Sequence, residues 1–150
     1  MKLFILSVII FAISGCSSIP LSSPVESENA KRFSSPNQGK AGLYVYRDSF
    51  LGPTLKKDIF LNDKCIGASV ANVFFYEEID GNVDYEVSTE SEFSPNKLRF
   101  KSETGKNHFI RQYIKVGLVV GGAGLEIVSP ETGMSAIRRL NKAANGSCGM

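Results

Sequence analysis

The chain has 150 residues, 43% of them hydrophobic and 21% charged, which suits one globular domain with short accessory segments and excludes global disorder. Seventeen basic residues against fifteen acidic ones leave a formal charge of +2, too balanced to mark a nucleic-acid partner.

Lys2 opens an apolar run from Leu3 to Ile13, broken only by Ser7. A membrane-spanning helix needs about 20 apolar residues. This run is shorter and ends in small residues, which predicts a cleaved signal peptide over residues 1–15. It closes on Ile13-Ser14-Gly15-Cys16, which resembles the lipobox of bacterial lipoproteins. That resemblance implies cleavage between Gly15 and Cys16 and a diacylglycerol on the Cys16 thiol, so the first expected partner is a lipid bilayer, reached through acyl chains. Ser17 is not the aspartate associated with inner-membrane retention, so the expected address is the outer membrane, facing the periplasm.

Residues 17–40 are rich in serine and proline, as in Ser22-Ser23-Pro24 and Ser34-Ser35-Pro36. Together with Cys16 they are read as a lipidated, flexible tether over residues 16–40, with a root-mean-square span of about 25–30 Å. The folded domain is then residues 41–150. Its eight predicted strands are Gly42–Arg47, Lys57–Leu61, Lys64–Ser69, Val73–Ile79, Val83–Thr89, Lys97–Ser102, His108–Val116 and Gly124–Ser129. Turn formers separate them, notably Asn62-Asp63 and Asp80-Gly81-Asn82, and Asp80-Gly81 suits the positive φ of a tight hairpin. Leu98 and Phe100 alternate with Arg99 and Lys101, as on a strand with one wet face.

Ser129-Pro130 starts a helix predicted over Glu131–Ala144, with Met134, Ile137 and Asn141 at helical spacing. The fold class is therefore all-β: an antiparallel β-sandwich of about seven or eight strands with a C-terminal helix. Val116–Leu125 holds four glycines among apolar residues and reads as a buried, flexible loop, the alternative being an apolar patch facing membrane or partner. Phe74-Phe75-Tyr76 cannot all point to one side of a strand, so one face of that strand is expected to meet a second sheet, a partner or lipid.

Chemistry is sparse. Once Cys16 is lipidated, Cys65 and Cys148 either pair as a disulfide or stay free as a strand thiol and a tail thiol. His108 is the only histidine, which disfavours a zinc site. Asp80, Asn82 and Asp84 have calcium-loop spacing, but Tyr85 and Ser91 stand where that loop needs glycine and glutamate. Gly67-Ala68-Ser69-Val70-Ala71 lacks the strand-to-helix context of a nucleophile elbow. Glu77, Glu78, Glu86, Glu90 and Glu92 read as solvated strand acids. No catalytic residue, metal or cofactor is expected.

From Ala41 to about Leu140 the chain resembles the domain-of-unknown-function family 2846, a group of small bacterial lipoproteins and exported proteins. The motifs that carry this are Gly42-Leu43-Tyr44-Val45-Tyr46-Arg47, Ile59-Phe60-Leu61-Asn62-Asp63-Lys64-Cys65-Ile66-Gly67, Gly105-Lys106-Asn107-His108-Phe109-Ile110-Arg111 and Leu125-Glu126-Ile127-Val128. Asp80-Gly81-Asn82 departs from the Pro-Gly more usual there. The resemblance implies a β-sandwich and no established activity. The expected function is a noncatalytic, periplasm-facing binding or structural module with an envelope protein as partner. The alternative is a binder of a small apolar or glycan ligand, with aromatics and the Val116–Leu125 loop as walls.

Overall fold

A computed structural model describes residues 19–49, 51–53, 55–91, 93–117 and 121–149. The signal peptide, Gly15 and Cys16 lie outside the described residues. Eight strands follow the predicted ones closely: β1 Lys40–Arg47, β2 Lys57–Leu61, β3 Lys64–Ser69, β4 Val73–Asp80, β5 Asp84–Thr89, β6 Asn96–Lys101, β7 Asn107–Lys115 and β8 Gly122–Val128. A ninth, β9 at Asn141–Lys142, is added near the C-terminus, and two helices, α1 Pro24–Ala30 and α2 Pro130–Ile137, complete the fold.

The strands form a sandwich of a five-stranded sheet, in the order β8-β7-β1-β4-β9, and a four-stranded sheet, in the order β3-β2-β5-β6. Three connections are hairpins, β2–β3, β5–β6 and β7–β8. The tightest, at Asn62-Asp63, places both central residues at positive φ (45° and 63°), as an Asn-Asp pair permits. The four-stranded sheet is wholly antiparallel, but the larger sheet is mixed: β1 runs parallel to β7 and β4 runs parallel to β9. The β4–β5 connection corrects the hairpin reading of Asp80-Gly81-Asn82. It passes from one sheet to the other, and the positive φ falls on Asn82 (61°), while Gly81 serves to let Thr104 approach closely.

Period-two alternation accounts for the core. Leu43 and Val45 of β1, Phe75 of β4 and Ile110 of β7 point between the sheets and meet Ile59, Ile66 and Val87 of the smaller sheet. Tyr44, Tyr46, Phe74 and Phe109 point to the other side, where Ala30 of α1 and Ala136, Ile137 and Leu140 in and after α2 cover them. The outer aromatics of Phe74-Phe75-Tyr76 therefore meet the protein's own helices rather than a partner or lipid. Tyr44 stacks on Phe109 with ring centroids 4.9 Å apart and donates its hydroxyl to the Ala30 carbonyl at 2.8 Å. Gly133 is the contact point of α2 on the sheet, since a Cβ there would come under 3.0 Å from the Phe109 ring.

Three segments differ from their predicted form. The flexible tether is overturned for most of its length. Ser23-Pro24-Val25-Glu26 is a capping box with proline in the first turn, the Ser23 hydroxyl accepting from the Glu26 N–H and the Glu26 carboxylate accepting from the Ser23 N–H. Ahead of it, Ile19 is buried and Leu21 bridges to Ala143. Second, α2 stops at Ile137 instead of running to Ala144, because Asn141 and Ala143 direct their N–H groups to Asn72 and Phe74 carbonyls on the β4 side. Third, Gly122–Leu125 belongs to strand β8 rather than to a buried loop, with the Tyr113 ring lying over Gly124 across the ladder. Val116, at the start of the same stretch, is 88% exposed.

Both sides of the sandwich are closed. On one, the C-terminal tail leaves β9 and runs along β3, with Gly146 donating to Ile66 at 2.6 Å and Ala68 donating to Ser147 at 2.7 Å. A disulfide between Cys65 and Cys148, with Cα atoms 6.1 Å apart, fixes that strap and resolves the two alternatives for this pair. On the other, Ala123 of β8 donates to the Glu90 carbonyl and accepts from the Asn96 side chain of β6. The tail covers the β3 edge, and the Ala123 bonds tie the β8 edge to the smaller sheet at one point, which limits pairing with other chains.

Candidate functional site

Two groups of polar side chains could carry function. The first is sealed between the sheets. Gln112 of β7 donates to Thr89 at 2.6 Å and accepts from Ser69, Ser69 also reaches the Lys57 carbonyl, and Thr89 donates to the Asp58 carbonyl at 2.8 Å. Beside it lies Arg47, fully buried, whose guanidinium donates to the carbonyls of Gly52 and Leu55 at 2.5 Å each and of Leu51 at 3.3 Å. Burial without a carboxylate partner pushes the Arg47 pKa down. Every partner of this network is the protein itself, so its work is to hold β2, β3, β5 and the loop after β1 against the larger sheet.

The second group is open to solvent. Arg111 of β7 donates through Nε to Asp48 at 2.7 Å and through Nη1 to Glu126 at 3.0 Å. Glu126 is its cross-strand neighbour in the β7–β8 register, and Asp48 follows directly on β1. The two carboxylates raise the guanidinium pKa still further and fix its plane. Tyr46 lies alongside, its phenol pushed up to about 12, first by burial and then by the Asp48 charge. Ser135 of α2 and Arg139, just after it, form the opposite wall of a cleft of about 530 Å³. A second cleft of about 500 Å³, lined by Leu51, Asn72 and Leu140, shares Asp48, Arg111 and Arg139 with the first. Arg47 thus acts on this site at a distance: the carbonyls it binds belong to the loop whose Leu51 lines the second cleft.

Asp48, Glu126 and Glu131 against Arg111 and Arg139 make the site open and mixed in charge, with Tyr46, Val128 and Ala136 adding apolar wall. The described residues of Val116–Leu125 line neither cleft. A third opening of about 320 Å³ between α1 and β4 is walled by Tyr44 and Tyr76, so aromatics do contribute walls.

The residues singled out from the sequence do not converge on these clefts. His108 packs against Phe100, with centroids 5.4 Å apart, and its Nε2 accepts from the Glu103 N–H at 2.9 Å. Burial holds its pKa below the usual histidine value. Glu86 is tied to Lys97 at 2.6 Å and Arg99 at 2.9 Å, while Ser69 is part of the sealed network. Sequence reasoning missed Asp48, Arg111, Glu126 and Arg139. The available signal was the opposite charge of Arg111 and Glu126 on consecutive predicted strands.

A family model described as a protein of unknown function, DUF2846, matches residues 37–123. The chain belongs to the DUF2846 family. The match holds the first three motifs named above but ends before β8 is complete, so Asp48 and Arg111 lie inside it and Glu126 and Arg139 beyond it. An uncharacterized protein of Haemophilus influenzae is 53% identical over 133 residues, covering 89% of this chain and 79% of that protein. No solved structure matches. Membership of DUF2846 and the β-sandwich agree with what the sequence motifs implied.

Proposed function

We propose that this DUF2846 member is a noncatalytic lipoprotein of the bacterial cell envelope, held by acyl chains on Cys16 at the periplasmic face of the outer membrane, whose sandwich binds another envelope component. The observation that carries the reading is the use of the three cysteines. Cys65 and Cys148 are bonded to each other, which suits an oxidising compartment, and the remaining thiol stands at the end of Ile13-Ser14-Gly15-Cys16. The noncatalytic part is supported by the chemistry of the open cleft, where Arg111 is already held by Asp48 and Glu126.

Metabolic labelling with a fatty acid tests the anchor. The wild-type chain takes up label and Cys16→Ser accumulates as an unlabelled precursor; label retained in that variant refutes the reading. Crosslinking in native envelopes, with an Arg139→Glu comparison, tests the partner, and an unchanged absence of any adduct counts against it. A polar glycan ligand is the second reading, favoured by the paired clefts around Arg111 and the Tyr46 wall. It requires that soluble envelope glycans perturb the Arg111 side-chain resonance and that Tyr46→Ala abolish the effect.

A further inference from the structure

We infer that the N-terminal edge of the domain, carrying Leu21 and Val25, lies against the headgroup layer of the bilayer, so that the sandwich is held edge-on instead of hanging from a tether. This rests on the proposed lipid anchor at Cys16. The body is fixed from its first described residue: Ile19 is buried, the Pro20 carbonyl accepts from Ala144 at 2.9 Å, and Ser22 donates to the Lys142 carbonyl at 2.9 Å. Three residue steps separate Cys16 from Ile19, and a fully extended chain covers at most about 10–11 Å in that interval. A cysteine whose acyl chains sit in the hydrocarbon therefore holds this edge within reach of the headgroups.

The side chains presented there suit that surface. Leu21 is 53% exposed and Val25 70% exposed, the latter on the outward side of α1, opposite its buried Ser27 and Ala30. Lys31, paired with Glu28, and Lys142, whose Nζ donates to the Ser22 hydroxyl at 3.1 Å, flank the shallow cleft beside Leu21, so apolar groups sit next to long amphipathic side chains, as in interfacial anchoring segments. The neighbouring acids Glu26 and Glu28 are each engaged, by the Ser23 cap and by Lys31 respectively. At the far edge of the same sheet, β8 lies four strand spacings from β9, or roughly 19 Å, and carries the exposed Ile127. Arg111 on β7 is three spacings away.

The protein has no tryptophan, so Val25→Trp and Ile127→Trp each introduce a single reporter at an exposed position. The lipidated full-length protein is reconstituted into phosphatidylethanolamine and phosphatidylglycerol vesicles, with and without brominated acyl chains. Val25→Trp emission shifts to the blue and is quenched by the brominated chains, while Ile127→Trp does neither. If the protein floats with the vesicles and the two reporters behave alike, the edge-on placement is overturned. If Val25→Trp shifts only in native envelopes, a protein covers this edge and the lipid assignment is overturned. If the protein fails to float at all, the anchor itself is refuted, and this placement with it.

Discussion

Replacing both bonded cysteines with serine tests how much of the stability rests on the C-terminal strap. The bond joins residues 83 apart, so it closes a loop that spans most of the domain. On the chain-entropy relation, a loop of that size restricts the unfolded ensemble by about 4–5 kcal/mol. A domain of this size has a total stability of about 5–15 kcal/mol, so the loss removes a third or more of it. With a urea m-value of about 2 kcal/mol/M, the unfolding midpoint of Cys65→Ser/Cys148→Ser falls by roughly 2 M. The strap is also held by the Gly146–Ile66 and Ser147–Ala68 hydrogen bonds and by Gly149 donating to Asp58, and these survive only while the tail stays docked. Amide exchange at Ala68 and Gly146 therefore accelerates more than exchange in β1. A midpoint unchanged within error, or free thiols titrated at both Cys65 and Cys148 in the wild-type protein, refutes the reasoning.

Gly133→Ala reverses the usual sign of a helix substitution: alanine ordinarily gains about 1 kcal/mol over glycine in a helix, whereas here its methyl overlaps Phe109 and stability falls by about 1–3 kcal/mol. A raised melting midpoint contradicts this, and a Phe109→Leu background relieves the loss. Arg47→Met leaves the carbonyls of Leu51, Gly52 and Leu55 without their donor and lowers stability by about 3 kcal/mol in urea melts, with faster exchange at Leu55; an unaltered midpoint rejects the role given to this cation. His108 has a folded pKa below its unfolded value, so its contribution is complete above about 6.5 and is lost as pH falls below that value, while the unfolded imidazole takes up a proton first. The groups facing it are Glu103, which opposes the depression, and Lys106, which adds to it. His108→Gln flattens stability between pH 7 and 5.5, and an identical slope in the variant refutes this.

Alternation and turn chemistry made the eight main strands legible to within two residues at each end, because each is patterned locally. What pairs with what is not local. Nothing in Gly42–Arg47 announces a parallel neighbour 65 residues on, yet Leu43 lies opposite His108. α1 is legible locally, since Ser23-Pro24-Val25-Glu26 carries both a capping box and a first-turn proline, but its serine-rich surroundings read as linker. The length of α2 was misjudged for the opposite reason, since helical spacing continues through Asn141 while the open edge of β4 offers carbonyls to the same backbone. The cleft is not legible because Asp48, just after β1, meets Arg111 of β7 only through the non-local β1–β7 pairing. The glycine-rich stretch also conceals the first two residues of β8, Gly122 and Ala123, which pair with Lys115 and Ile114.

The pairing of Pro20–Ser22 with Lys142–Ala144 joins the first and last described parts of the chain. A polypeptide made from its N-terminus cannot close this clasp until Lys142–Ala144 have been added. Until then the β4 edge is open and Cys65 has no mate. The order of synthesis therefore sets this clasp last among the pairings of the larger sheet, after β1, β4, β7 and β8 have all been made.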